Sequence, residues 1–347
     1  MKKVAVVGYH GDGQVTTDGQ GVKTSIITSE LINVYGEGQV KIVNTYNWRK
    51  NAVKLAINCI IAIVTCENVV FLTDENGVKV FPKFFISLNK IFNKKLHYYV
   101  VGGWLTEYLQ SDKKVKKYIK KLDGVYVELK SMHTGLKNQG LNNVVYINKF
   151  RRIKPVSIDS LKKFDKPPYR LCTFSRVLKE KGIEDAIEAV NNINREYSEN
   201  IFELDIYGTI DESYRERFTD ILDSQPDYIK YCGIVDFEKS TETLKAYFAL
   251  LFPTYYKSEG YPNTFVDAFS AGLPIIASNY KYNSEIICSG KDGIIYDSED
   301  PNALTHELKK IYNKPEIIYD MKINCLNRCS EFLPEKAIKI LAENLDK

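Results

Sequence analysis

The chain has 347 residues, 44 % of them apolar and 27 % charged, with a net charge of +4. Its length favours two domains over one, and its composition excludes a disordered chain. Its seven cysteines are scattered, with no CxxC pair and no Cys/His cluster at zinc spacing, so reduced, mostly buried thiols in a cytoplasmic protein are expected.

The opening run VAVVG (4–8) is too short for a secretory leader and ends in a glycine, so it reads as a first buried strand. β-Branched runs then recur at VKIVN (40–44), NVVFLT (68–73), HYYVVGG (97–103), GVYVEL (124–129) and NVVYIN (143–148). Helical candidates lie between them, at 53–63 and 115–122 among others. The longest uncharged apolar stretch, 55–66, is twelve residues and too short to cross a bilayer. KFRRIKPVSIDSLKKFDKPP (149–168) is charged, carries three prolines and has no clear period, so it reads as a linker. The alternation restarts with RLCTFS (170–175), a helix after Gly182, FELDIYG (202–208), YIKYCGIV (228–235), YFALLFPT (247–254), LPIIAS (273–278) and GIIYD (293–297). Asp300-Pro301 is expected to cap and open a helix over about 301–313. Strands alternating with helices predict an α/β protein of two doubly wound parallel sheets, with a cleft between their carboxyl ends. The expected boundaries are 1–150, a linker over 151–168, a second domain over 169–330 and a terminal helix over 331–347 returning toward the first domain.

Two stretches carry chemistry. In KSEGYPNTFVDAFSAGLPII (257–276), Glu259 lies in a Gly/Pro-rich turn and Asp267 about one turn into the helix that follows. That helix is expected to start near Asn263–Thr264 and stop at Gly272. Both acids can project into one space beside the helix N-terminus, whose unpaired N–H groups suit an anion. A nucleotide-sugar, with vicinal hydroxyls at both ends and phosphates between, fits such a site. A turn acid and a first-turn acid offsetting the helix dipole would fit the same spacing. In TFSRVLKEKGIEDAIEAV (173–190), Arg176, Lys179 and Lys181 follow a strand end. Arg176 and Lys181 suit a diphosphate, and Lys179 reads as a solvated side chain.

Taken in order, SRVLKEKGIEDAIEAV, LDIYG, FALLFPTYYKSEGYPNTFVDAFSAGLPIIAS and DGIIYD resemble the donor-binding half of glycosyltransferase family 4, the retaining GT-B enzymes. The resemblance covers nearly all of residues 170–313. It implies two Rossmann-like domains facing across a cleft, the first binding an acceptor and the second a nucleotide-sugar, UDP-linked. By resemblance Glu259 contacts the transferred sugar and Asp267 the ribose diol, one methylene shorter than the family's usual second glutamate. Arg176 and Lys181 match the diphosphate pair. Tyr261, Pro262, Asn263 and Thr264 match the loop and helix start that approach sugar and phosphates, and Val235 falls at the strand end near the base. In the first half the resemblance is looser. Gly19 and Gly21, in the Gly-rich segment 9–31, could bring backbone N–H groups to a diphosphate. Many relatives place a histidine near the reacting carbon where this chain reads VVGGWL (100–105). His10 is the best-placed substitute, and Trp104 is expected as an apolar wall of the acceptor side. No DxD pair stands at a plausible site, so neither a metal nor another cofactor is expected. A non-catalytic nucleotide-sugar-binding subunit and a nucleotide-sugar epimerase of similar architecture are the alternatives.

Charge is unevenly divided. Residues 1–160 carry 24 Lys+Arg against 12 Asp+Glu, and residues 161–347 carry 24 against 32. With FPKFFISLNKIFNKKL (81–96) and DKKVKKYIKKL (112–122), the basic half predicts docking on an anionic membrane surface, where a lipid-linked saccharide acceptor would lie. In FPKFFISLNKIFNKKL, Phe81, Phe84, Phe85, Ile86, Leu88, Ile91 and Phe92 are expected to dip into the headgroup boundary, although helical spacing would equally make some of them core. Nucleic acid is not expected, since no recognition module accompanies the charge.

Overall fold

The computed structural model describes residues 1–11 and 19–347. The chain divides into two compact units, Met1–Arg151 with Leu333–Lys347, and Arg152–Phe332. The first unit runs β1 (Lys2–Gly8), α1 (Gly19–Tyr35), β2 (Val40–Asn44), α2 (Ala52–Thr65), β3 (Cys66–Thr73), α3 (Glu75–Val78), α4 (Phe81–Phe92), β4 (Lys95–Val100), α5 (Leu105–Ser111), α6 (Lys113–Ile119), β5 (Gly124–Val127), α7 (Lys130–Asn138) and β6 (Val144–Tyr146). The second runs β7 (Tyr169–Phe174), α8 (Ile183–Tyr197), β8 (Phe202–Tyr207), α9 (Arg215–Asp223), β9 (Ile229–Gly233), α10 (Ser240–Leu244), β10 (Ala249–Phe252), α11 (Asn263–Ser270), β11 (Ile275–Ser278), α12 (Asn283–Ile286), β12 (Gly293–Tyr296), α13 (Ala303–Asn313) and α14 (Glu316–Asn327). The last helix, α15 (Pro334–Leu345), is part of the first unit.

Each unit holds one six-stranded parallel sheet, ordered β2-β1-β3-β4-β5-β6 in the first and β12-β11-β10-β7-β8-β9 in the second. Strands covered on both faces need apolar side chains on both, which is why these segments read as continuous apolar runs and not as alternating ones. In the first unit Val4, Val6, Val70 and Leu72 pack with Ile27 and Leu31 of α1 and Ile338 and Leu341 of α15. The strands' other face meets α4, where Phe71 stacks between Phe85 (5.7 Å) and Tyr98 (5.1 Å). In the second unit Leu171, Leu204, Ile206 and Leu251 pack with Ile183, Val190 and Ile193 of α8 and Leu308 of α13.

Three expectations need correcting. Asp300-Pro301 does not open a helix. The Asp300 carboxylate accepts the Asn302 N–H (2.8 Å) and its carbonyl accepts the Ala303 N–H (3.1 Å), so the two residues form a turn and the helix starts at Ala303. The stretch read as a linker is strapped onto the second unit, with Leu161 buried against Leu326 and Cys329 and the Val156 N–H bonded to the Ser270 carbonyl at 3.0 Å. Phe81 and Phe85 of α4 are buried core, so they cannot reach a headgroup layer, because their helical spacing aims them at β3.

Among the described residues no helix is long and apolar enough to cross a membrane.

Candidate active site

In the second sheet the strand order reverses between β7 and β10, which pair directly through Leu171↔Ala249 and Cys172↔Leu250. Loops leaving the carboxyl ends of two such strands turn to opposite faces of the sheet, and a crevice opens where they part. The loop after β7 carries Arg176 and a single tight turn, Lys179–Lys181, before α8. The loop after β10 carries Glu259 and enters α11.

The two loops are laced together. The Tyr255 N–H donates to the Glu180 carbonyl at 2.8 Å. Gly182 has a φ of +69°, and a Cβ there would lie 2.1 Å from the Pro253 carbonyl oxygen, so no side chain fits. Gly208, at φ +138°, likewise lets the loop after β8 press on Ser175, whose oxygen would sit 1.8 Å from a Cβ.

Across this seam the Lys181 ammonium donates to Glu259 Oε2 at 2.5 Å, and both side chains are buried. The Thr254 hydroxyl donates to the same oxygen at 3.0 Å, and the Glu259 N–H closes a turn on the Tyr256 carbonyl at 2.9 Å. The carboxylate therefore accepts two hydrogen bonds, one from each loop. Tyr256 is shared by both cations: Lys181 Nζ lies 4.9 Å and the Arg176 guanidinium 5.4 Å from its ring centroid. Arg176 is otherwise exposed. The pieces read separately from sequence, the RVLKEK cations and the first acid, thus occupy one site. Thr254 and Tyr256 were not singled out by sequence reasoning. The available signal was an aromatic and a hydroxyl flanking the strand end immediately before the acid.

Pro262 precedes α11, which starts at Asn263 and is stopped by Gly272 at φ +60°. The Thr264 hydroxyl donates to the Phe174 carbonyl at 2.8 Å and pins the helix start to the end of β7. That hydroxyl proton is therefore spent on the fold. Asn263 Oδ1, in contrast, is a buried acceptor with no hydrogen-bond partner among the described residues. Asp267 is buried one turn into the helix. Tyr261 is half-buried, its ring 6.2 Å from that of Phe332. Val235 lies just past β9, beside Ile234, which is 55 % exposed.

In the first unit Gly19 and Gly21 form the first turn of α1, and residues 12–18 of the Gly-rich segment lie outside the described residues. His10 follows β1, and its N–H donates to Asn44 Oδ1 at 3.1 Å. Burial pushes its imidazole pKa down to about 4, so the ring is neutral at physiological pH, and Nε2 has no partner among the described residues. Trp104 forms no open wall. It is 6 % exposed, its indole N–H bonded to the Val101 carbonyl at 2.7 Å and its ring set edge-on to Tyr108. Among the described residues no group of three or more His, Cys, Asp or Glu is arranged to hold a metal ion.

Residues 157–326 match the family model described as glycosyl transferases group 1. Over 247 residues, 66 % of the chain, the sequence is 26 % identical to an uncharacterized glycosyltransferase of Methanocaldococcus jannaschii, and the match spans 59 % of that relative's length. The fold is similar to that of sucrose-phosphate synthase from Thermosynechococcus elongatus, with a TM-score of 0.78, 16 % identity and 99 % and 98 % of the two chains covered. It is also similar to HepE of Anabaena, solved in complex with UDP and glucose, with a TM-score of 0.75, 11 % identity and both chains fully covered. At these identities the structural likeness establishes the GT-B fold alone.

Proposed function

We propose, from the glycosyl transferases group 1 family to which residues 157–326 belong, that this protein moves a hexose-type sugar from a UDP-linked donor to a saccharide acceptor with retention at the anomeric carbon. The observation that carries this reading is the buried Lys181–Glu259 pair at the switch point of the second sheet, flanked by Arg176 and the start of α11. Anabaena HepE, whose fold is similar, was solved with UDP and glucose.

Breaking the anomeric C–O bond leaves a nucleoside diphosphate whose charge grows in the transition state. Arg176, Lys181 and the first amides of α11 supply the positive field that meets it. Glu259 accepts hydrogen bonds from the sugar hydroxyls, Asp267 from the ribose diol, and Val235 borders the base. Asn263 Oδ1 gives the donor an unsatisfied acceptor to approach. On the second unit Tyr261, Pro262 and Thr264 shape the entry; the first unit by itself offers the α1 amides of Gly19 and Gly21 to an anion and the neutral imidazole of His10 to an acceptor hydroxyl. As the acceptor oxygen bonds to the anomeric carbon, its proton passes to the departing phosphate oxygen. The acceptor is lipid-linked and the product a surface polysaccharide, made at the inner face of the membrane, which the basic first unit faces.

The direct test is a panel of nucleotide-sugars, read first by thermal shift and then by transfer of labelled sugar to lipid extracts, each with and without EDTA. A donor that raises Tm and is turned over equally in EDTA is expected, since ligand binding to the folded state alone stabilises it. If no donor is bound or turned over, the reading is overturned. Binding without turnover would instead make the protein a binding subunit.

Asp267→Asn is expected to weaken free UDP roughly 10- to 100-fold by calorimetry, the loss of a hydrogen bond to a charged group. Asp267→Glu should retain affinity. Equal UDP affinity in wild type and Asp267→Asn would remove the ribose role.

A further inference from the structure

The helix α2 is apolar over most of its circumference, with Lys54, Asn58 and Thr65 as its polar positions. Its inner face buries Leu55, Cys59, Ala62 and Ile63. Its outer face carries Val53, Ile57, Ile60, Ile61 and Val64, each between 39 % and 76 % exposed. Over its 14 residues the only charge is Lys54. A helix with apolar side chains on both its inner and outer faces is unusual at a water-exposed surface, and an outward stripe of five β-branched side chains needs a cover. The neighbouring helices say what kind. Packed beside α2, α4 exposes Ile91 (78 %) together with Lys83 and Lys90. Packed in turn on α4, α6 and its end present Lys113, Lys116, Lys117, Lys120 and Lys121 around an open concavity of about 400 Å³. Arg49 and Lys50 stand exposed just before α2. One layer of three helices thus grades from aliphatic to cationic. A second copy of the chain set against this face would bring lysine rows together, whereas an anionic bilayer answers both halves at once.

We infer that the outer face of α2 inserts into the headgroup–acyl boundary of an anionic membrane while the lysines of α6 hold lipid phosphates. This rests on the proposed lipid-linked acceptor for its purpose, but its geometry is independent of that reading. It also replaces α4 by α2 as the inserted element. The two signals differ physically: lysine attraction is screened by salt, and aliphatic insertion is not.

The test is flotation with phosphatidylglycerol/phosphatidylcholine vesicles and with phosphatidylcholine vesicles, at 0.05 and 0.5 M salt. The wild type is expected to bind the anionic vesicles at least ten-fold better at low salt. Changing Lys116, Lys117, Lys120 and Lys121 to glutamine should abolish that preference. Ile57→Ser with Ile61→Ser should leave binding that is lost at 0.5 M salt. Ile61→Trp adds an indole whose fluorescence brominated lipids should quench beyond the wild-type level. Three results would each overturn the inference: no vesicle binding, no added quenching, or a wild-type dimer in sedimentation that Ile57→Ser/Ile61→Ser makes monomeric. UDP-sugar turnover in the same samples separates the two proposals. Turnover without vesicle binding defeats this one alone, and vesicle binding without turnover defeats the transferase alone.

Discussion

Replacing Lys181 by alanine is expected to lower sugar-transfer turnover roughly 30- to 1,000-fold, and Arg176→Ala by a similar factor. In the proposed mechanism each would remove a charge-assisted contact to the departing diphosphate, an effect of about 2–4 kcal/mol on the transition state. Their effects on folding should differ. Arg176 is exposed, its guanidinium set over the Tyr256 ring, so its loss should leave Tm almost unchanged. Lys181 is buried on Glu259, and its loss leaves a buried carboxylate that, among the described residues, keeps the Thr254 hydroxyl at 3.0 Å. Breaking one side of such a pair costs about 3–5 kcal/mol. Initial rates and thermal melts on both variants read the two effects. Turnover within a few-fold of wild type in both would displace the diphosphate from this loop.

Glu259→Gln should cripple transfer and also destabilise the fold, because it strands the Lys181 ammonium. The informative variant is the double change Lys181→Met with Glu259→Leu. Replacing a buried ion pair by apolar side chains of similar volume is commonly neutral or stabilising. The double variant is therefore expected to melt near the wild-type temperature while transferring no sugar. Recovered stability with lost turnover separates chemistry from scaffolding. Turnover that returns along with stability would make the pair purely structural.

The separate pieces were readable in the chain, and their meeting was not. β-Branched runs marked the strands because buried parallel strands admit little else, and Gly272 marked the end of α11 because only a positive φ lets the chain leave there. The order β10-β7 is not written in any local stretch. It arises from which strand pairs with which across 78 residues of chain, and that pairing brings Lys181 to Glu259. The outward stripe of α2 was hidden for a different reason. Periodicity separates inside from outside only when the two faces differ, and on α2 both are aliphatic. Asp300-Pro301 misled because an aspartate that caps a helix and one that holds a turn use the same bond to an amide two residues on.

In chain order the second unit comes between the strands of the first and α15, the helix that closes that first sheet's α1 face through Ala337, Ile338, Leu341 and Leu345. On the ribosome the usual order of completion is thereby inverted. Residues 152–332 can emerge and close their own core while the earlier-made residues 1–151 still wait for a helix not yet translated. Through that interval the nascent chain carries an uncovered aliphatic surface, so the first unit is the last to close.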